Sequence, residues 1–236
     1  MCQQLCNDIM RAHFQALLAH GLQLTNVVQP FGRLLNNGRL GGYVKTIANH
    51  CDYDVTNMLH RDGLQTLDAL EGSIRDSIEG YNVNNHDNDL LKEIFIKIQM
   101  WSGRPGTYIF TKGDGFVWNT VSPCYQTFVE ECIHADQNLE AIRTAGEQFA
   151  DSVPQIGIAL SAIHIHFWTH ATMRDNALPV FDNITSSRMG IPLDWNHAVC
   201  FWQGMRQILQ DYHLTNMNAL ERQIALLSPT FNQHNV

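Results

Sequence analysis

The amino-acid sequence contains no apolar run that approaches the roughly 18–20 residues of a membrane-spanning helix. A basic region followed by an apolar stretch is also missing from Met1 to Asp8, so we expect no secretion signal. Charged residues are few, at 16%, and hydrophobic residues make up 44%, which is the composition of a globular chain. We therefore expect a cytoplasmic protein that does not use a membrane.

Cysteine pairs with CxxC spacing are missing as well. The six cysteines are scattered along the chain, at Cys2, Cys6, Cys51, Cys124, Cys132 and Cys200. This scatter indicates neither a disulfide framework nor a zinc ribbon, so reduced thiols are expected. His166 and His170 have the i,i+4 spacing that can chelate zinc on a helix, but no HExxH pattern and no obvious third ligand accompany them. We expect no metal and no other cofactor.

Positive charge is scarce. Lysine and arginine together number 15 against 23 acidic residues, which gives a formal net charge of −8. This balance counts against nucleic-acid binding, because phosphate contacts need lysine and arginine. A local basic strip on an acidic body would still permit it, and the 12 histidines would add positive charge below neutral pH.

Helical periodicity, by contrast, runs through most of the chain. In the clearest stripe, Leu90, Ile94 and Trp101 share one face and Lys92 lies on the other, which predicts an amphipathic helix. Comparable patterns and end signals predict further helices over Cys2 to His20, Leu64 to Ile78, Cys124 to His134, Leu139 to Phe149 and Gly157 to Thr169, from about Asp54, and after the caps Asp194 and Thr215.

Two stretches are predicted to depart from helix. Gln29 to Gly42 is rich in glycine and asparagine and indicates a loop, whereas Thr107 to Asn119 indicates a short β-hairpin around Lys112 to Gly115. After it, Ser122 and Pro123 are typical of a helix start. The predicted fold class is therefore mainly α with a small β-hairpin. Residues 1–236 are expected to form one compact domain, or two helical lobes around a cleft.

Two motifs suggest a function. The first, Val153 to Ser161 (VPQIGIALS), predicts a tight turn that opens a helix. Backbone N–H groups at such a turn point outward and can hold a phosphate without a lysine. Gln155, Ile156 and Gly157 are the residues expected to supply them.

The second motif, Leu178 to Arg188 (LPVFDNITSSR), places Asp182 after a proline-containing extended segment, at the start of a helix. The helix dipole and free N–H groups favour the ionised form of a carboxyl there. Below a sugar ring, such a carboxylate stabilises the positive charge that develops as an N-glycosidic bond breaks. It can also orient or deprotonate the attacking water.

In order and spacing the two motifs resemble the helix-hairpin-helix DNA glycosylase superfamily. The run Gly157 to Trp168 and the turn Trp101 to Arg104 resemble bacterial 8-oxoguanine DNA glycosylase-like proteins. The superfamily's hairpin carries Pro-Gly-Ile/Val-Gly, and Gln155 stands here in place of its first glycine. The motifs fall within residues 90–236. The resemblance implies a helix-hairpin-helix glycosylase-like fold and a DNA glycosylase with Asp182 as its catalytic residue.

The resemblance also implies a partner and a binding site. The partner would be duplex DNA with a damaged or modified base, either an oxidised purine or a hypermodified base of foreign or phage DNA, and the protein is expected to act as a monomer. The base would be flipped into an aromatic pocket. Candidate pocket walls are Phe167, Trp168, Trp101 and Trp202. Candidate phosphate contacts are Arg104, Arg174 and Arg188.

One departure from the superfamily bears on the mechanism. Bifunctional members carry a lysine in the hairpin or in the next helix, where it forms a Schiff base with the sugar. The aligned positions here hold Ala159 or Ile163, and none of the four lysines is near the hairpin in sequence. The resemblance therefore implies a monofunctional enzyme that uses water and leaves an abasic site.

Each motif also has a plainer interpretation. In the plainer interpretation of the second motif, Asp182 is an ordinary N-cap for Asn183 to Met189. In that of the first motif, the turn at Gln155 is an ordinary connection between helices. Under those interpretations the chain is a catalytically inactive DNA-binding or interaction protein of the same fold, or an unrelated helical protein. The net charge of −8 favours the last of these.

Overall fold

The computed structural model describes residues 3–112 and 115–227, and within them the chain is helical. No strand occurs in these residues; an isolated antiparallel bridge joins Leu34 to Thr66. Two short 3-10 helices span Pro105–Thr107 and Arg174–Asn176. The α-helices are α1 Gln3–Ala19, α2 Gly38–His50, α3 Val55–Arg61, α4 Leu67–Gly80, α5 Asn88–Trp101, α6 Tyr108–Thr111, α7 Trp118–His134, α8 Leu139–Ser152, α9 Ile158–Met173, α10 Asn183–Arg188, α11 Trp195–Asp211 and α12 Met217–Leu226.

Helix α9 occupies the centre of the fold. All its residues from Leu160 to His170 are buried, and the helix packs against α4, α7 and α8. A helix with apolar residues on every side is stable only when other elements cover it all round. Gly146 of α8 allows the close approach, because a Cβ there would lie 2.6 Å from Ile165. The hydroxyl of Ser161 donates to the Gly146 carbonyl at 2.8 Å across this contact.

A buried polar chain crosses the same core. The indole N–H of Trp168 donates to the Tyr125 hydroxyl at 2.8 Å, and that hydroxyl lies 2.9 Å from His164 Nδ1. His164 Nε2 lies 3.0 Å from the side-chain amide of Gln99. Burial lowers the pKa of His164 to about 3, so the imidazole is neutral. These hydrogen bonds join α5, α7 and α9 within the core, although Gln99 Oε1 has no partner among the described residues.

The beginning and the end of the described chain meet. Helix α1 packs along α11, and Met10 fills the space that a side chain at Gly204 would need. Cys6 of α1 and Cys200 of α11 form a disulfide, with their Cα atoms 6.2 Å apart. The expectation of reduced thiols throughout is therefore wrong for this pair. The two cysteines are separated by 194 positions in the sequence, so no local pattern shows that they meet.

Most predicted helices are confirmed, but the predicted β-hairpin is not. Thr107–Thr111 is helical, and α7 already begins at Trp118, so neither predicted strand forms. The hairpin tip at 113–114 lies outside the described residues. Packing explains the difference: Gly106 lies directly against the Gln99 backbone, and Ile109 and Phe110 are buried. A helical turn places those side chains in the core.

Three predicted helix starts differ in detail from those observed. Helix α7 starts four residues before Ser122, with Pro123 inside it. Asp194 does occupy the N-cap of α11, but its side chain makes no capping hydrogen bond. Asn216 rather than Thr215 caps α12. Among the described residues, no helix has the length and apolarity to cross a membrane.

The contact at Gly106 predicts a paired result for two alanine substitutions. A Cβ at Gly106 would lie 1.9 Å from the Gln99 carbonyl oxygen, so we expect Gly106→Ala to lower the free energy of unfolding by about 2–3 kcal/mol. Gly72 of α4 faces open space, so Gly72→Ala should raise it by roughly 0.5–1 kcal/mol. Urea unfolding followed by circular dichroism measures both. A Gly106→Ala midpoint equal to that of the unchanged chain would contradict the close packing.

Candidate functional site

The segment that leads to Asp182 is extended, buried and held by side chains. Residues 177–181 form neither helix nor strand, and all of them are buried. Buried backbone groups need hydrogen-bond partners, and side chains supply them here. These side chains are Thr169 and His166 from α9, Thr185 from α10, Trp202 from α11 and Glu221 from α12. Four helices thus fix the position of Asp182.

Asp182 is the N-cap of α10. Its Oδ1 accepts hydrogen bonds from the backbone N–H groups of Ile184 at 2.9 Å and Thr185 at 2.8 Å. In return, the Thr185 hydroxyl accepts from the Asp182 N–H at 3.2 Å, which completes a capping box. Asp182 therefore caps α10, as its place in the motif predicts. Within the described residues every hydrogen bond of this carboxylate uses Oδ1, which leaves Oδ2 for another partner.

Glu221 of α12 lies near enough to Asp182 for their charges to interact. Burial, with added repulsion from Asp182 and Glu71, raises the pKa of Glu221 to about 8. The side chain still has 12% of its surface accessible. At neutral pH the site therefore presents a carboxylic acid at Glu221. The sequence alone shows only a glutamate on a helix, so this residue was missed.

His166 lies beside Glu221. Its Nδ1 is 2.8 Å from the Leu178 carbonyl oxygen and 3.6 Å from Glu221 Oε2. Burial, together with repulsion from Arg75, lowers the pKa of His166 to about 3, so the ring is neutral and its Nδ1–H donates to Leu178. The histidine thus positions the extended segment, and it stacks at 6.5 Å on the indole of Trp101.

The hairpin between α8 and α9 has the predicted form. Gln155, which replaces the first glycine of the motif, has a φ of 72°, the left-handed region that favours glycine. Of the three predicted donors, Ile156 uses its N–H within the turn, toward the Val153 carbonyl at 3.1 Å. The N–H groups of Gln155 and Gly157 have no acceptor within the described chain, and no side chain caps α9. Two of the three predicted phosphate donors are thus available.

A cavity of about 320 Å³ adjoins this hairpin. It is lined by Val153, Pro154 and Gln155 on one side and by Lys112 on the other. Although Lys112 is distant in sequence, the fold brings it beside the hairpin, where its ammonium group lies 3.9 Å from the centre of the Tyr108 ring. Lys112 thus brings a positive charge to the hairpin, which the sequence pattern did not predict.

The three predicted phosphate-binding arginines have different environments. Arg174 forms an ion pair with Glu79. Arg188 binds the carbonyl oxygens of Ile224 and Leu227 at the end of α12, so its guanidinium caps a helix. Both guanidinium groups already have partners in the fold. Arg104 is exposed and lines a second cavity.

The four residues predicted to form the walls of an aromatic pocket also differ in their environments. Phe167, Trp168 and Trp202 are 0% exposed and pack in the core, so no flipped base can reach them in this conformation. Trp101 is partly accessible and lines the same cavity as Arg104. The periodic pattern that predicts a buried helix face does not distinguish a core aromatic residue from a pocket wall.

The cavity that contains Trp101 and Arg104, hereafter the arginine cavity, measures about 710 Å³. Arg33, Arg39 and Tyr43 also line it. No sequence motif marks these three residues, because they lie in a loop and in the first half of α2, far from Arg104 in the chain. Only the fold brings them together.

Comparison with protein-family models, with curated proteins and with solved structures finds no match for this chain. The resemblance to helix-hairpin-helix glycosylases therefore depends on the two sequence motifs. The tight turn that opens α9 and the aspartate at the start of α10 are both observed, as the residues of these motifs predict.

The raised pKa of Glu221 predicts how stability depends on pH. Between its ordinary value of 4.5 and about 8, the folded chain holds a proton here that the unfolded chain releases. The unfolding free energy therefore falls as pH rises through this window, by up to about 1.4 kcal/mol per pH unit from this group. Glu221→Gln should remove that contribution. Urea unfolding at pH 5, 6, 7 and 8 measures it.

The matched control is Glu140→Gln, because the Glu140 side chain is 68% exposed. The control should keep the pH slope of the unchanged chain. If Glu221→Gln also kept that slope, the pKa of Glu221 would be ordinary, and the protonated acid would have to be abandoned.

Proposed function

We propose that the protein is a monofunctional DNA glycosylase that hydrolyses the N-glycosidic bond of a damaged or modified base. The pairing of Asp182 with Glu221 is the observation that carries this proposal. One carboxyl caps a helix with an oxygen to spare, and burial keeps its neighbour protonated near neutral pH. An acid that keeps its proton, next to a second carboxyl group with a free oxygen, suits an acid–base hydrolysis of a glycosidic bond.

The roles follow from the chemistry. As the bond between the sugar C1′ and the base nitrogen breaks, Glu221 donates its proton to the departing nitrogen. The Asp182 carboxylate stabilises the positive charge on the sugar and accepts a proton from the water that attacks C1′. The products are the protonated base and the sugar hydroxyl of an abasic site. Transfer of the acquired proton from Asp182 through solvent to Glu221 restores the starting state.

The hairpin supplies the anchor for the strand in this proposal. The N–H groups of Gln155 and Gly157 and the uncapped start of α9 favour a phosphate at that point. Lys112 adds a positive charge nearby. Because α9 contains no lysine, this helix supplies no amine that could form a Schiff base with the sugar. The substrate is an oxidised purine or a hypermodified base of foreign DNA.

A second candidate is a DNA-binding protein without catalysis. It is favoured by the complete capping box at Asp182, which gives the aspartate a structural role. The two candidates differ in one measurable respect, because only the first loses an activity when the Asp182 carboxylate becomes an amide.

Strand cleavage after alkali is the test. Duplexes with oxidised or modified bases, and natural phage DNAs, are incubated with the unchanged chain, Asp182→Asn and Glu221→Gln. Asparagine caps helices as well as aspartate does, so Asp182→Asn should fold and yet lose roughly a hundredfold or more in rate. Glu221→Gln should lose a similar factor. Asp87→Asn is the matched control, since Asp87 caps α5 in the same manner, and its rate should not change.

The outcomes separate the candidates. Alkali-dependent breaks that both site variants lose, and Asp87→Asn keeps, support the glycosylase. DNA binding without breaks supports the second candidate. Breaks without alkali, or a borohydride-trapped complex, would mean that the enzyme has lyase activity and would contradict the monofunctional mechanism.

A further inference from the structure

The arginine cavity lies apart from Asp182, between the start of α2 and the end of α5. Three arginines, Arg33, Arg39 and Arg104, line it together with the rings of Tyr43 and Trp101. No lining residue is acidic. On a chain with a net charge of −8, a cavity with three positive charges and no negative one is a local reversal of sign.

These arginines differ from the others in having no polar partner. Within residues 3–112 and 115–227, none of the three side chains forms an ion pair or a hydrogen bond, although Arg33 lies 5.8 Å from the Phe31 ring centre. The remaining arginines bind carboxylates, carbonyl oxygens or sulfur: Arg11, Arg61, Arg75, Arg143, Arg174, Arg188, Arg206 and Arg222. The arginines of the described residues whose side chains have no ion-pair or hydrogen-bond partner therefore all line this one cavity.

The backbone adds donors to the same place. Helix α2 begins at Gly38, whose N–H donates to the Asn37 side chain at 2.7 Å. The next two N–H groups, of Arg39 and Leu40, have no acceptor in the described chain, and both residues line the cavity. The first turn of a 13-residue helix thus faces the space that the guanidinium groups surround.

The walls of the cavity are held in place before any ligand binds. Asp68 accepts the N–H groups of Phe31 at 2.8 Å and Gly32 at 2.9 Å, and the Leu67 N–H donates to the Arg33 carbonyl at 2.8 Å. The Trp101 indole, which also lines the cavity, donates to Glu71 at 3.3 Å. A wall fixed in this way loses little conformational entropy when a ligand binds.

We infer that the arginine cavity binds a mononucleotide. Its phosphate would lie among Arg33, Arg39, Arg104 and the start of α2, and its base would lie against Tyr43 or Trp101. Planar guanidinium groups match phosphate oxygens, aromatic rings match a base, and about 710 Å³ is within the usual range for a small-ligand site. This inference is independent of the proposed glycosylase, because it requires neither Asp182 nor bond cleavage.

Calorimetric titration of the full chain is the test. The probes are AMP, GMP, CMP and UMP. Adenosine, inorganic phosphate and an unmodified single-stranded DNA of about 20 nucleotides serve for comparison. We expect saturable binding of at least one mononucleotide, weakened roughly tenfold or more in Arg39→Gln and in Arg104→Gln, since each removes a charge-assisted contact. Arg143→Gln, whose side chain pairs within α8, and Asp182→Asn should bind as the unchanged chain does.

Several results would overturn the inference. One is the absence of mononucleotide binding by the folded chain, and another is undiminished binding by both cavity variants. Inorganic phosphate bound as tightly as a mononucleotide would reduce the site to a general anion site, and binding of the single strand alone would assign the cavity to DNA. Arg39 and Arg104 are exposed, so we expect circular dichroism to show that both variants fold. Failure of the glycosylase would appear separately, as an inactive but nucleotide-binding chain.

Discussion

The buried ion network around Arg222 is the interaction on which both candidate sites depend. This side chain, 7% exposed, pairs with Glu71 and Asp68 of α4, binds the Gln29 carbonyl oxygen, and lies 3.6 Å from the centre of the Phe31 ring. It therefore joins the last helix to α4 and to the loop that walls the arginine cavity. Removal of one partner would leave a buried charge without compensation, which strongly lowers the free energy of unfolding.

The same network links the two sites electrostatically. Glu71 also accepts from Arg75 and from the Trp101 indole, and its negative charge adds to the repulsion that raises the pKa of Glu221. Trp101 in turn contacts the arginine cavity on one side and His166 on the other. A single helix, α12, supplies Glu221 to the site at Asp182 and Arg222 to the network that holds the loop of the arginine cavity, so its position affects both sites.

The sequence predicted well whatever depends on local periodicity or on a local cap. Most of the helices, the hairpin at Gln155 and the N-cap at Asp182 follow from patterns of a few residues. Helix α2 was missed, and its first turn lies in the stretch Gln29 to Gly42 that was predicted to be a loop. The β-hairpin at Thr107 to Asn119 was wrong because the contact of Gly106 with α5 outweighs the strand propensity of its β-branched and aromatic residues. Glu221 was not predicted because its protonation depends on burial by other elements, which no pattern in its own helix reveals.

The arrangement of residues 177–181 has a consequence for the order of folding. This extended segment has its polar groups satisfied by side chains from four separate helices. A partly assembled chain can hold most of its helices and still leave these backbone groups open to water. The segment that carries Asp182 therefore acquires its native conformation only when the helices around it have docked, so it is among the last parts of the molecule to form and among the first to be lost when any one of them detaches.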